Sequence, residues 1–350
     1  MFAMGNDSMK HRGLAALASG LMAAACGGGG GSTPGGPSEP VVPTYTVTAT
    51  VFYDQNENGL LDGSEAVRVP GVEVVIGTGT GKSAPGTGQA AVAGIREGAL
   101  TAAVRTESLP AYFQPAPPVP IQVPGATEVR LPLTLPIGSN HPNLYLGLGD
   151  SITFGDGSSD RLGYVLKLQN LLGPHFGRAE VRAVGRSGDS SAATEEVTRR
   201  TLRDHRPAYT LIMLGTNDWH DQICQNQGPA SCFTIEALGS IVEQVKDWDS
   251  LPVLATIIPG NPTMVPASRN AWFDEMNARI KALAQEQKVT LADLNAEFKA
   301  AGSLPALFAD DVHPNDAGYQ AMAQGWFKAI ARARSAAASS SPRFGFASRR

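Results

Sequence analysis

Two textures of hydrophobic patterning divide the chain near residue 140. Between Tyr45 and Leu135, apolar positions alternate with polar ones. Tyr45, Val47, Ala49 and Val51 interleave with Thr46, Thr48 and Thr50, and Val72, Val74, Ile76, Val129, Leu131 and Leu133 keep the period of two. That period places every second side chain on one face of a strand. No helical stripe of length interrupts it, so residues 44–136 are expected to form a small all-β domain, a sandwich.

After Pro142 the texture changes to apolar runs separated by amphipathic stretches. Strands are expected at Leu144–Leu148, Val181–Val184, Tyr209–Leu214, Val253–Ile258 and Val289–Leu294. Helices are expected near Leu162–Leu172, Ala192–Asp204, Ile235–Trp248, Ala271–Gln287 and Asp316–Arg332. Short, nearly continuous apolar strands with helices between them predict a parallel five-stranded sheet covered on both faces, an α/β domain over residues 142–335.

The two ends of the chain read differently from both. Lys10, His11 and Arg12 precede an apolar stretch from Leu14 to Ala25, the pattern of a secretory signal peptide over residues 1–25 and too short to span a membrane. Residues 26–43 are Gly, Ser, Thr and Pro with little apolar content, a tether that cannot bury a core. Cys26 follows three alanines and precedes five glycines, which resembles the lipobox of bacterial lipoproteins. The resemblance implies lipidation of Cys26 and attachment to a membrane, with Gly27 pointing to the outer membrane of a Gram-negative host. Residues 336–350 are expected to be a disordered tail.

With 350 residues and 42% hydrophobic content, the chain can bury at least one full core and is sized for about two domains. A net charge of −4 without a basic run argues against a nucleic-acid partner. With Cys26 assigned to lipid, Cys224 and Cys232 remain as a pair expected to form a disulfide in an exported loop. Gly77 to Ser83 looks like a phosphate loop, but Gly77 to Gly81 is one residue short and Pro85 stands where a helix must begin. That segment is expected to be a flexible loop of the β-domain.

The candidate chemistry lies at the ends of the second region's strands. Ser151 follows Gly149 and Asp150 where an apolar run stops; Asp310 and His313 stand just before the last helix. A serine hydroxyl attacks only when a base takes its proton, and an imidazole base needs an acceptor on its other nitrogen. Gly188 and Asn217, in loops between them, can give N–H donors where a carbonyl oxygen becomes an anion, together with the backbone N–H of Ser151. The alternative elbow Gly-x-Ser-x-Gly fails here because its fifth position is Thr153.

This set resembles the SGNH hydrolases, the GDSL family of esterases and lipases, whose name lists the serine, glycine, asparagine and histidine of the site. The resemblance implies a flavodoxin-like strand order 2-1-3-4-5, with Ser151 as nucleophile, Asp310 and His313 completing the triad, and Ser151, Gly188 and Asn217 forming the oxyanion hole. It implies no cofactor for catalysis. One departure is Ala183, where family members often carry an asparagine five residues before the glycine. Phe154, Trp219 and His220 flank the motifs and either line a pocket or pack internally.

Within the β-domain, Asp54, Asn56, Asn58, Leu60, Asp62 and Glu65 fit the ligand positions of a twelve-residue calcium loop, with Gly59 at the sharp turn. Its flanks are strand-like, and it resembles the calcium loops of B-type repeat domains of bacterial surface proteins; Ca²⁺ is expected as a structural ion. The reading that joins these observations is an exported, monomeric serine esterase acting on small-molecule, lipid or carbohydrate esters. Two alternatives stay open: a surface binding lipoprotein with an inactive hydrolase domain, and acyl transfer through the same serine.

Overall fold

The computed structural model describes residues 42–333. The expected signal peptide, Cys26, most of the tether and the tail lie outside the described residues. Among the described residues no helix is long and apolar enough to cross a membrane.

The first region is built from β1 (Tyr45–Tyr53), β2 (Glu73–Ile76), β3 (Gly79–Lys82), β4 (Gln89–Ile95), β5 (Gly98–Val104), β6 (Gln114–Pro115), β7 (Val119–Val123) and β8 (Glu128–Thr134). They form two four-stranded sheets, β4-β1-β8-β6 and β3-β2-β5-β7. Strand β1 runs antiparallel to β4 and parallel to β8, with Thr48 opposite Glu128. The alternation expected from sequence sets the faces: Val47, Ala49, Val51, Val74, Ile76, Leu131 and Leu133 are all buried.

The expectation of a flexible loop at Gly77–Ser83 is corrected. Gly79 to Lys82 is a strand, paired antiparallel with β2 from Glu73 to Ile76. Its glycines are a packing requirement, because a Cβ on Gly81 would stand 2.6 Å from the Ala91 carbonyl oxygen. Glycine content concealed a strand whose backbone lies close against β4.

The second region comprises β9 (His141–Gly149), α1 (Ser151–Phe154), α2 (Val165–Phe176), β10 (Glu180–Gly185), α3 (Ser191–His205), β11 (Pro207–Met213), α4 (Gln222–Gln227), α5 (Thr234–Asp247), β12 (Leu251–Ala255), α6 (Ala267–Glu286), β13 (Thr290–Ala292), α7 (Leu294–Ala300) and α8 (Asp316–Ala331). The sheet order is β10-β9-β11-β12-β13, parallel throughout. This is the α/β fold with the 2-1-3-4-5 order, preceded by a β-rich region. One boundary differs from expectation: the apolar run at residues 289–294 ends as a strand at Ala292. Asp293 then caps α7 by accepting from the Ala296 N–H at 3.3 Å. Capping side chains also start α3 and α8, where Ser190 accepts from Ala193 and Asn315 from Ala317 and Gly318.

The β-rich region docks at the amino ends of this sheet. The Tyr112 hydroxyl donates to the Pro252 carbonyl at 2.5 Å and accepts the Thr290 N–H at 3.1 Å, at the starts of β12 and β13. Its ring meets Tyr209 edge-on at 6.4 Å, and Tyr209 stacks on Tyr145 at 4.8 Å. The backbone N–H groups of Arg68 and Gly86 reach the carbonyls of Phe176 and His175 at the end of α2. One hydrophobic cluster therefore runs from Val47 in β1 to Trp326 in α8 without a break between the regions.

Candidate active site

The turn after β9 is shaped by glycines on one side and a capping carboxyl on the other. A Cβ on Gly149 would stand 2.3 Å from Thr153 Oγ1 and 2.6 Å from the Met213 carbonyl oxygen, so only glycine fits beneath the turn. Asp150 caps α1, accepting the Ile152 N–H at 3.0 Å, and Gly155 closes this four-residue helix in the left-handed region at φ +106°. Ser151 is thus the first helical residue, with 7% of its surface exposed. Asp150 itself is fully buried, and that burial pushes its pKa up to about 7; the Ile152 N–H and His313 oppose the shift while Asp218 adds to it. Its second oxygen, Oδ2, has no hydrogen-bond partner.

The loop before α8 brings the base to the serine. His313 Nε2 lies 2.9 Å from Ser151 Oγ, and His313 Nδ1 lies 2.7 Å from Asp310 Oδ2. With the Nδ1 proton donated to the carboxylate, Nε2 is left to accept from the serine hydroxyl. Asp310 Oδ1 accepts the backbone N–H groups of Val312 at 3.0 Å and His313 at 2.7 Å. Burial is the largest single influence on Asp310 and raises its pKa, but the backbone and ring N–H groups of His313, the Val312 N–H and the imidazole charge together outweigh it, and the net shift is downward. The orienting group is therefore held as a carboxylate.

The donor loops are fastened to the same turn. Gly188 adopts φ +86° with nothing within 4 Å of a would-be Cβ, so backbone conformation, not lack of room, calls for glycine. Its loop is held by the Arg186 N–H donating to the Gly149 carbonyl at 3.2 Å and by Ser187 Oγ donating to Asp156 Oδ2 at 2.7 Å. Asn217 Nδ2 donates to the Asp189 carbonyl at 2.9 Å, joining the two donor loops; a primary amide carries a second hydrogen for another acceptor. These bonds brace the loop, and Ala183, five residues before Gly188, lies exposed in edge strand β10.

Two residues that sequence reasoning passed over complete the scaffold. Buried Asp218 accepts from Ser191 through both its N–H (2.9 Å) and its hydroxyl (2.6 Å), and from Thr234 Oγ1 at 2.6 Å, pinning the β11 loop to α3 and α5. Its signal was present as the acidic residue directly after Asn217. Arg269, in the first turn of α6, is buried against Asp311 and His220 and had no signal, since an arginine there reads as a solvated helix face. Of the three flanking residues, Phe154 is exposed, Trp219 packs edge-on against Trp272 at 6.0 Å, and exposed His220 contacts Arg269. Burial first, then the Arg269 charge, lower the His220 pKa, which favours the neutral ring that can accept from the guanidinium.

Cys224 and Cys232 are joined in a disulfide between α4 and the segment before α5. A groove of about 580 Å³ beside it, lined by Ile223, Phe233, Glu236 and Arg279 among others, contains none of the expected catalytic residues. In the β-rich region, the oxygens expected to bind calcium hold their own loop. Asp54 accepts the N–H groups of Asn58 and Gly59, and Glu65 those of Gln55 and Asp62. Asn56 and Asn58 donate to Asp62 Oδ2, and the Leu60 N–H donates to Asn58 Oδ1. Among the described residues no three or more His, Cys, Asp or Glu side chains are gathered as a metal-binding group. The donor set is nonetheless all oxygen, which suits a hard divalent cation, and Asp54 and Glu65 are both buried.

Comparison with known proteins bears on the second region. Residues 148–321 match the GDSL-like Lipase/Acylhydrolase family. A GDSL-like lipase structure from Parabacteroides merdae, described as putative, is 21% identical, with 55% of this chain and 98% of that chain aligned at a TM-score of 0.47. TesA is 23% identical over 53% of this chain and 97% of its own, at a TM-score of 0.44. A variant of an acetyl xylan esterase from Geobacillus stearothermophilus is 24% identical over 56% and 97%, at 0.46. No curated protein matches the chain.

Proposed function

We propose, from the match of residues 148–321 to the GDSL-like Lipase/Acylhydrolase family, that this region is a carboxylic ester hydrolase in which Ser151, His313 and Asp310 carry the reaction. The observation behind this assignment is the Ser151–His313–Asp310 relay, 2.9 Å and 2.7 Å long. Ser151 Oγ attacks the ester carbonyl carbon while His313 Nε2 takes its proton. The carbonyl oxygen becomes an anion facing the N–H groups of Ser151 and Gly188 and the Asn217 amide. The intermediate collapses, His313 returns the proton to the departing alcohol, and an acyl-serine remains. Water then enters, gives its proton to His313 and adds to the acyl carbon; collapse releases the acid and restores Ser151.

The substrate we infer is a short-chain acyl or acetyl ester on a carbohydrate or lipid, met outside the cell by an exported, membrane-tethered enzyme. Phe154, Leu162, Leu166 and Met264 support an apolar portion in that substrate: they are exposed large hydrophobics in segments leaving the carboxyl ends of β9 and β12. The disulfide supports an oxidising compartment. We further propose that the Asp54–Glu65 loop takes Ca²⁺ as a structural ion, supplying stability and no chemistry; adding a chelator should then lower the melting temperature.

The test is turnover of short and medium p-nitrophenyl acyl esters beside Ser151→Ala. We expect loss of roughly 10⁴-fold or more in kcat for the variant. Unchanged turnover in Ser151→Ala would remove the assignment, and the chain-length profile of the wild type would define the acyl pocket.

A further inference from the structure

One buried cation touches both halves of the catalytic apparatus. Arg269 has 4% of its surface exposed. Its Nη1 donates to Asp311 Oδ2 at 3.2 Å, on the loop that also carries Asp310 and His313. Its Nη2 lies 3.4 Å from His220 Nε2, and the backbone N–H of His220 donates to the backbone carbonyl of Asn217 at 2.9 Å, closing the turn that carries both residues. The neighbouring connection is tied to the same loop: Asn261 donates to the carbonyls of Asp311 (2.8 Å, from its N–H) and Asp310 (3.2 Å, from Nδ2). Asn270, beside Arg269, holds Gly260 through both amide atoms at 2.8 and 3.1 Å.

Stability alone gives little reason for a guanidinium here. Burying a charge costs desolvation that a pair seldom repays beyond what an apolar side chain would contribute. Arg269 Nε has no hydrogen-bond partner, and the guanidinium lies over the Phe273 ring at 5.5 Å. What a guanidinium adds is a rigid planar fork that engages two partners at a fixed separation.

We propose that Arg269 is a positioning residue for ester hydrolysis: it struts the turn bearing Asn217 against the loop bearing Asp310 and His313, keeping oxyanion donor and general base in register. It does not touch the reacting atoms. The inference rests on the ester-hydrolase reading of Ser151.

Kinetics of the full chain on p-nitrophenyl acetate test it, using R269M, R269K, N217A and the double variant N217A/R269M. R269M should lower kcat roughly 10- to 100-fold with KM within about twofold, the signature of misplacement. R269K should recover part of that loss, since an ammonium keeps the charge but not the fork. In the N217A background R269M should cost less than about threefold, because the donor it positions is already gone. Full additivity of N217A and R269M, or a kcat for R269M within about twofold of wild type, overturns the proposal. Should R269M lack a cooperative melt, H220F cuts only the Nη2 link; a kcat loss that shrinks in N217A supports the strut, and an unchanged kcat overturns it. Ser151→Ala, run alongside, tells the failures apart. Activity surviving in that variant removes the hydrolase assignment, whereas a dead Ser151→Ala with additive Arg269 and Asn217 effects removes only the strut.

Discussion

The amino and carboxyl ends of the five-stranded sheet are built on opposite terms. At the amino ends, the β-rich region presses Tyr112 onto Tyr209, which stacks on Tyr145, and the Tyr112 hydroxyl is satisfied from both sides. At the carboxyl ends, Ser151, Asp150, Asp218, Arg269 and His313 gather charge and hydroxyl groups in a largely buried space. Asp150 Oδ2, Thr216 Oγ1 and Arg269 Nε are left there without partners. An unpartnered buried polar atom costs stability wherever it lies, and Asn143 Oδ1 at the start of β9 is another; what sets the carboxyl ends apart is buried charge, Asp150 and Arg269, where the amino ends have stacked tyrosines.

The largest effect that would sharpen this contrast concerns the donor. Asn217→Ala should lower kcat by roughly 10²- to 10³-fold, with about 1 kcal/mol of stability lost along with the bond to the Asp189 carbonyl. A kcat near wild type in that variant would remove Asn217 from the oxyanion hole. Next comes the buried carboxyl beside the serine. Asp150 keeps its proton up to about pH 7 in the folded chain but loses it near pH 4 when unfolded. Between those values the folded state binds the extra proton, so stability falls as pH rises through the window and is level above it. Asp150→Asn should escape that decline, gaining on the order of a few kcal/mol relative to wild type between pH 5 and pH 8. Melting curves that stay parallel across this range would show that Asp150 carries no such penalty. Smallest is the other end of the sheet, where Tyr112→Phe should cost about 1–2 kcal/mol in urea unfolding and leave kcat unchanged. A kcat change there would mean that the amino ends are coupled to the site.

Much of the contrast was legible in the sequence, though unevenly. Period-two alternation marked β1 and β8, and the run at residues 144–148 marked β9, because burial on one or both faces writes itself into residue order. Ser151, Gly188, Asn217, Asp310 and His313 stood out since each follows a strand or precedes a helix in a workable sequence. Strand β3 did not, because Gly79 and Gly81 serve close backbone approach, which resembles loop composition. The start of α7 was hidden because Leu294 extends the apolar run of β13 past the capping Asp293. Arg269 was invisible for a deeper reason: its partners, His220 and Asp311, lie about fifty residues before it and about forty after it, and nothing local distinguishes a buried arginine from a solvated one.

The parallel pairing of β1 with β8 carries an implication for how the molecule assembles. Thr48 cannot meet Glu128 until some eighty residues of intervening chain are present, a long loop closure whose contacts form late and slowly. Once Thr134 is in place, however, that sheet needs nothing further along the chain, and the next strand to appear is β9. The topology thus lets the chain finish one platform before laying down the strand that ends at its serine, so Tyr112 can be waiting when β12 and β13 arrive. Limited proteolysis of ribosome-bound chains arrested beyond β8 would read this order directly: resistance of β1 and β8 before β12 and β13 have emerged supports it, and resistance only once the whole chain has emerged would mark a single cooperative assembly.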